Sequence, residues 1–392
     1  MADPWLTIVG IGEDGPEGLT PASRDALALA EVIFGGPRHL ALLGADGRGR
    51  PWPVPFDVAP VLELRGRAVV VVASGDPFWF GAGGSLMAHL EPGEWVSHPA
   101  VSSFQLAANR LGWRLEECHC LGLHAAPFAR LRPVLGRGVR LICTLRDAAA
   151  VAGFVDWLGA NGHGDARLWL MERLGGPEER VRPLKPDQLP TDIGAPVLVA
   201  IEATNPGLSR ASGLADALFA HDGQITKRPV RALTLSALAP RAGEVLWDIG
   251  AGSGSVGIEW LLAGGGRVLA LEADPVRAAR ARANAEAFGL AHRHTVIEGR
   301  APEGLEALPS PDAVFVGGGA SEALLDRLWQ VMPEGCRLVM NAVTLETEAL
   351  LLGWSARHGG DLLRIELSEP AVLGTRRGWR AALPILQWSV AR

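Results

Sequence analysis

Between Glu244 and Gly257 the chain reads E-V-L-W-D-I-G-A-G-S-G-S-V-G, and no other stretch restricts the fold as much. Val245, Leu246, Trp247 and Ile249 make a short apolar run of the kind needed by a strand buried on both faces of a parallel sheet. Gly250, Gly252 and Gly254 then permit a turn too tight for side chains, and Ser255 to Ala263 read as the helix that follows. Strand, glycine turn and helix N-terminus together present bare backbone N–H groups to a ligand. The expectation is an α/β domain whose sheet is built around this cradle.

The glycines alone leave the ligand open. Gly252 to Gly257 also fit G-x-G-x-x-G, a dinucleotide fingerprint, and such a turn can be purely structural. Two acids tilt the choice. Asp248 lies on the strand two residues before the first glycine, where a carboxylate can face a cationic ligand such as a sulfonium amino acid. Glu272 ends the next apolar run, R-V-L-A-L-E, and is placed to accept from ribose hydroxyls. D-x-G-x-G-x-G followed by an acid at the end of the second strand resembles the S-adenosylmethionine (SAM) site of Rossmann-like methyltransferases.

A length of 392 residues favours two or three domains. The longest aliphatic run, Ala68 to Ala73, is far short of the ~20 residues that span a bilayer. Met1-Ala2-Asp3-Pro4 has no basic start, so no signal peptide is expected, and the protein is expected to be soluble and cytoplasmic. Cys118, Cys120, Cys143 and Cys336 form no C-x-x-C pair, and the ten histidines add no H-E-x-x-H, so no metal is expected. A net charge of -6 without a polybasic block argues against nucleic acid as a partner. Only Lys185 and Lys227 are lysines; the remaining basic side chains are arginines, which suit bidentate binding of carboxylates.

The first half alternates strands and helices. Strands are expected at Leu6–Gly10, Glu31–Gly36 and Ala68–Ala73, and later at Arg140–Thr144, Ala166–Met171 and Val197–Ala203. Thr20 is placed to cap a helix with Pro21 in its first turn, and Ser102 or Ser103 to cap another from Phe104 to Leu111. V-G-I-G-E-D-G-P-E-G-L-T, S-G-D-P-F-W-F-G-A-G and P-A-V-S-S-F-Q-L-A-A-N-R-L-G-W resemble, in order and spacing, the tetrapyrrole (corrin/porphyrin) methylase family. The resemblance covers about Trp5 to Pro206. It implies a two-lobed domain that binds SAM in the cleft between lobes, with Gly10, Gly75, Asp76, Ser102 and Ser103 near the cofactor.

The second half opens with Q-I-T-K-R-P-V-R, leading into an apolar helix, Ala232 to Leu238. After the cradle come R-V-L-A-L-E, a helix from Pro275 to Phe288, H-T-V-I-E-G, A-V-F-V-G-G-G, R-L-V-M-N-A-V and R-I-E-L-S-E-P. The last apolar run, Trp379 to Val390, is expected as an antiparallel edge. Q-I-T-K-R-P-V-R-A-L, the cradle, E-G-R-A-P-E-G-L, F-V-G-G-G and N-A-V-T-L-E-T together resemble the decarboxylating methyltransferases of cobalamin (vitamin B12) biosynthesis, from about Gln224 to the end. The resemblance implies that Thr226, Gly250, Ala251, Gly252, Ser253 and Gly254 contact SAM, that Glu272 holds the ribose and that Ala301 lies against the adenine. Gly317 to Gly319 would leave an open floor for the macrocycle. Lys227, Arg231, Asn341 and Glu346 are candidate substrate-side or catalytic residues, the first two as cations for substrate carboxylates.

Taken together, the halves imply a tetrapyrrole methylase domain over 1–206, a linker over 207–221 and a Rossmann-like methyltransferase domain over 222–392. The implied reaction methylates precorrin-6B at C5 and C15 and removes CO2 from the ring C acetate to give precorrin-8, consuming two SAM per turnover. The first domain would methylate C5, and the second would methylate C15 and decarboxylate. The alternative is one catalytic domain joined to a tetrapyrrole-binding or channelling domain. The implied partner is a small-molecule tetrapyrrole, with no nucleic acid and no membrane, and a homo-oligomer is expected.

Overall fold

The valines at 69–72 are buried, as the middle of a parallel sheet demands. In the computed structural model, which describes residues 4–392, they belong to the first of two sheets in one unit of the chain. Met1 to Asp3, read above for a leader, lie outside the described residues. The chain divides into a first unit, residues 1–128 with 134–207, and a second, residues 129–133 with 208–392.

In the first unit, β1 (Leu6–Ile11), β2 (Val32–Gly35), β3 (Gly49–Pro51), β4 (Val69–Ser74) and β5 (Trp95–His98) form a parallel sheet in the order β3-β2-β4-β1-β5. Thr20 caps the helix Pro21–Leu29 as expected, its hydroxyl accepting from Ser23 N at 3.1 Å. Of the two candidate serines it is Ser102 that caps the helix Ser103–Leu111. Its hydroxyl accepts from Gln105 N, and the Gln105 side chain accepts from Ser102 N in return. That helix packs Phe104, Ala107 and Ala108 against Ile142, Met171 and Leu198 of a second sheet. The second sheet comprises β6 (Cys118–Gly122), β7 (Arg140–Leu145), β8 (Arg167–Glu172), β9 (Arg180–Leu184) and β10 (Val197–Glu202), in the order β6-β7-β10-β8-β9. All of its pairings except β6 with β7 are antiparallel.

The second unit holds β11 (Val245–Ile249), β12 (Arg267–Glu272), β13 (His294–Glu298), β14 (Ala313–Val316), β15 (Arg337–Ala342), β16 (Asp361–Ile365), β17 (Ser368–Leu373), β18 (Arg376–Ala381) and β19 (Ile385–Ala391). Seven of them make one sheet in the order β13-β12-β11-β14-β15-β19-β16, parallel except where β19 runs antiparallel to both neighbours. One face of this sheet is covered by a core around Trp247, Leu324, Trp354 and Trp388, and the other by a core around Leu235, Ile258, Trp260 and Phe288. Leu214 and Phe219, in the stretch expected to act as a linker, are buried in the second of these cores.

Three local expectations are corrected. The helix expected from Ala232 begins at Arg228, because Lys227 takes the cap position and Pro229 suits the first turn. The stretch R-I-E-L-S-E-P divides between β16 and the separate β17–β18 hairpin. The run Trp379 to Val390 breaks before Pro384, and its second part, β19, is not the edge. Leu386 and Trp388 are buried and need neighbours on both sides, whereas the exposed Asp361–Arg364 face of β16 tolerates the edge position.

Candidate functional site

In the second unit the strand-turn-helix forms as the sequence requires, at the carboxyl ends of the parallel strands, where open α/β sheets bind ligands. Gly250, Gly252 and Gly254 all have positive φ, 68°, 58° and 72°. Their surroundings differ. A Cβ on Gly250 would stand 2.8 Å from Gly318 N, so this glycine allows the turn to pack on the F-V-G-G-G loop. A Cβ on Gly252 would meet only the Gln224 carbonyl, 4.0 Å away, which leaves that side of the turn open. Among the described residues nothing lies within 4 Å of the Cβ position of Gly318 or Gly319, so that part of the loop floor is open; a Cβ on Gly317 would stand 2.9 Å from the Phe315 ring, so the expected open floor does not extend to Gly317.

The two acids flank the turn. Glu272 accepts from Gly252 N at 2.8 Å and from Asp274 N at 2.9 Å, which fixes its carboxylate beside the turn. Asp248 is 1% exposed. Its Oδ2 accepts from Gly257 N at 3.1 Å, while Oδ1 is buried without a hydrogen-bond partner among the described residues. Burial pushes its pKa up to about 7, opposed by the Gly257 hydrogen bond and assisted by the Glu272 charge. His294, next to the same glycines, is held down at about 4 by burial and so stays neutral. A buried, unpaired carboxylate oxygen beside an open backbone turn fits a cationic ligand that also offers hydroxyls, as SAM does.

The segment before the cradle is a strap rather than a free tether, and sequence reasoning missed its anchors. Glu259, 2% exposed, accepts from Gly213 N at 2.6 Å, Leu214 N at 2.9 Å and Arg231 Nε at 2.6 Å. Arg231 also donates to Asp216 and to the Leu214 and Thr226 carbonyls. Asn284 accepts from Ala220 N and donates to the Ala220 and Ser253 carbonyls, each at 2.9 Å, which ties the strap to the glycine turn. Asp222 pairs with Arg277 and Arg280. Each anchor lies 15 or more residues from its partner along the chain, apart from the Arg231 bond to the Thr226 carbonyl, so no local spacing marked it.

This placement corrects one expectation. Arg231 is 0% exposed with its guanidinium committed to the strap, so it does not face a substrate carboxylate. Lys227 remains exposed, and Thr226 is half-buried at the end of the strap. The Asn341 side chain donates to Thr234 Oγ1 at 2.9 Å and accepts from Gln387 at 2.9 Å. Glu346 is exposed in the first turn of the helix Leu345–His358. Ala301 is half-buried against the core containing Leu305 and Val316. Val343 and Leu345, 52% and 80% exposed beyond β15, were also missed; they add apolar surface at the carboxyl end of the same sheet.

In the first unit Gly10, Gly75 and Ser102 converge. A Cβ on Gly10 would overlap the Gly75 carbonyl, and one on Gly75 would stand 2.6 Å from Ser102 Cα. These glycines therefore allow three loops to meet at the carboxyl ends of β1, β4 and β5. Asp76 Oδ1 accepts from Phe78 N at 2.9 Å and shapes the turn. The Ser102 hydroxyl is used in capping, and Ser103 is the half-buried first residue of its helix. Beside them lies a cluster absent from the sequence reading. Arg38 pairs with Glu13 and donates to Ser74 Oγ at 2.8 Å; Ser74 Oγ lies 2.8 Å from His39 Nε2.

A family model described as "Tetrapyrrole (Corrin/Porphyrin) Methylases" matches residues 5–190, and one described as "Precorrin methyltransferase domain" matches residues 217–392. A protein of Sinorhizobium sp named precorrin-6Y C(5,15)-methyltransferase [decarboxylating] is 45% identical over 400 residues, covering 99% of this chain and 97% of its own. The chain belongs to the precorrin-6Y C(5,15)-methyltransferase (decarboxylating) family. It is thus a SAM-dependent methyltransferase of cobalamin biosynthesis. A Pyrobaculum calidifontis protein named "Probable cobalt-precorrin-6B C(15)-methyltransferase (decarboxylating)" is 40% identical over 141 residues, 34% of this chain and 72% of its own. The crystal structure of the C-terminal domain of precorrin-6Y C5,15-methyltransferase from Rhodobacter capsulatus is 54% identical, covers 47% of this chain and 100% of that one, and gives a TM-score of 0.46.

Proposed function

We propose that the two units are two methyltransferases acting on one tetrapyrrole, precorrin-6B, to give precorrin-8. The second unit methylates C15 and releases CO2 from the ring C acetate, and the first methylates C5. Each uses one SAM, so two are consumed per turnover. The observation that carries this is the pair of family matches, one on each half of the chain. The Pyrobaculum relative supports the division, because its name joins C15 methylation to decarboxylation in a protein that matches only 34% of this chain. The boundaries 1–206 and 222–392, with the strap in place of a free linker between them, and a cytoplasmic location belong to the same proposal.

SAM supplies an electrophilic methyl group, and an electron-rich meso carbon can attack it in line. The protein therefore has to align the partners and exclude water, and such positioning is worth roughly 7–11 kcal/mol. In the second unit Asp248, the turn 250–254 and Glu272 would hold SAM with Thr226 and Ala301, and Lys227 would meet a substrate carboxylate. Decarboxylation needs the conjugated ring as electron sink, and the exposed Val343 and Leu345 offer the apolar setting that destabilises an acetate charge. Incubation with precorrin-6B and SAM should give a product carrying two added methyl groups and lacking one CO2. A product with a single added methyl group would contradict the reading.

Asp248 gives a pH signature. A sulfonium ligand favours the ionised carboxylate, whereas the free protein holds the proton up to about pH 7. SAM affinity at this site should rise up to about tenfold between roughly pH 6 and 8 and then level off, and D248N should flatten the profile. The same shift makes the Asp248 contribution to folding full below the unfolded pKa and lost as pH rises through about 7. Calorimetric titration with SAM from about pH 6 to 8 checks the first sign, and urea denaturation of wild type and D248N from about pH 4 to 8 checks the second.

Self-association belongs to the proposal as well. The hairpin β17–β18 exposes Val372 at 85%, Leu373 at 70% and Trp379 at 77%, an apolar surface suited to a second copy of the chain. W379E should shift the protein from oligomer to monomer by light scattering; an unchanged mass would remove the hairpin from the interface.

A further inference from the structure

Methylation of a meso carbon requires that carbon to lose its hydrogen, and the first unit holds a cluster placed to take it. In its parallel sheet the chain leaves β1 toward β2 and β3 on one side and leaves β4 toward β5 on the other, so the carboxyl ends of β1 and β4 flank the switch point of the sheet. Ser74 ends β4 in register with Ile11 of β1, Glu13 follows β1, and Arg38 and His39 follow β2. The four side chains meet there. Arg38 pairs with Glu13, and its Nη2 lies 2.8 Å from Ser74 Oγ and 2.8 Å from His39 Nε2. Ser74 Oγ in turn lies 2.8 Å from His39 Nε2.

The protonation pattern follows from the donors. A guanidinium only donates, so the His39 nitrogen that faces it carries a lone pair. Burial, helped by the Arg38 charge, holds the ring down at about 4 and therefore neutral. Ser74 is exposed, so the lone pair communicates with the surface through the serine hydroxyl, next to the Gly75–Asp76 turn. Of the neighbouring carboxylates, Glu13 pairs with Arg38, and Asp76 Oδ1 accepts from Phe78 N.

We infer that His39 is the proton acceptor for C5 methylation, through Ser74, and that Arg38 binds a carboxylate of the same ring. The inference rests on the reading that the first unit methylates C5. In the step, a π pair of the ring forms the C5–methyl bond, and the S–methyl bond breaks with its pair remaining on sulfur. The C5–H bond then breaks and its pair restores the ring conjugation. Its proton goes to Ser74 Oγ while the serine proton passes to His39 Nε2. A ring carboxylate on Arg38 adds a second negative charge to the one Glu13 supplies and so raises the basicity of His39 when substrate is present.

The test uses full-length protein, SAM and the tetrapyrrole, with each methyl position identified by NMR. In H39Q the kcat for C5 methylation should fall about 100-fold or more. A primary isotope effect should appear with substrate deuterated at C5, because proton removal becomes limiting. S-adenosylhomocysteine binding, C15 methylation and CO2 release should be unchanged, so a product methylated only at C15 accumulates. R38A should raise KM for the tetrapyrrole about tenfold, with partial recovery in R38K. S74A, a smaller change in packing, should repeat the H39Q pattern should that variant fold poorly. C5 methylation within about threefold of wild type in H39Q and S74A, with no isotope effect, would overturn the inference. Loss of C15 methylation with C5 methylation intact would instead overturn the assignment of carbons to units, and the inference with it.

Discussion

Replacing Glu259 with alanine is expected to destabilise the second unit by about 3–5 kcal/mol, the range for breaking a buried ion pair by removing one partner. Glu259 is 2% exposed and Arg231 is fully buried, so the guanidinium left behind cannot reach water and keeps Asp216, which is partly exposed, as its remaining ion-pair partner. The Gly213 and Leu214 N–H groups lose their acceptor at the same time. Urea denaturation of full-length protein should show the transition of this unit at lower denaturant, with the other transition unmoved. E259Q, which keeps the shape and one acceptor, should lose less. The double variant E259A/R231A should lose less than the sum of its parts, because the two groups act as one unit. A change of under about 1 kcal/mol in E259A would mean that the strap is held by packing alone.

Gly252→Val is expected to abolish the chemistry of the second unit while sparing the fold. The backbone at Gly252 has φ 58°, a region a β-branched residue adopts at a cost of roughly 1–3 kcal/mol. The new side chain would also occupy the open side of the turn, where only the Gln224 carbonyl is near. Strain and blocked access together should lower SAM affinity at this site by at least about 100-fold. C15 methylation and CO2 release should fall in parallel, and C5 methylation should persist. Retention of CO2 release in G252V would move the decarboxylation out of this unit.

How much of the site could be read in advance depended on the range over which its parts interact. Asp248, the three glycines and Glu272 were legible because strand, turn and helix impose their spacing within a few dozen residues. The caps at Thr20 and Ser102 were legible for the same reason. Arg231 was misread: its neighbours in sequence, Lys227 and Arg228, are exposed, and only Glu259 and Asp216, brought in by the fold, explain its burial. Asn284 could not be recognised as the tie between strap and turn, since its partners Ala220 and Ser253 lie 64 and 31 residues away. The position of β19 inside the sheet was hidden likewise, because burial on both sides is a property of pairing that an apolar run does not specify. Glu13, Arg38, His39 and Ser74 lie at the ends of three strands that the sheet makes adjacent, and nothing in their spacing joins them.

The central claim is that each unit has its own pocket for the methyl donor. Calorimetric titration of full-length wild type with S-adenosylhomocysteine tests it most directly, since that molecule binds without reacting. Two sites per chain are predicted, of which G252V removes one; a single site per chain, lost entirely in G252V, would contradict the account.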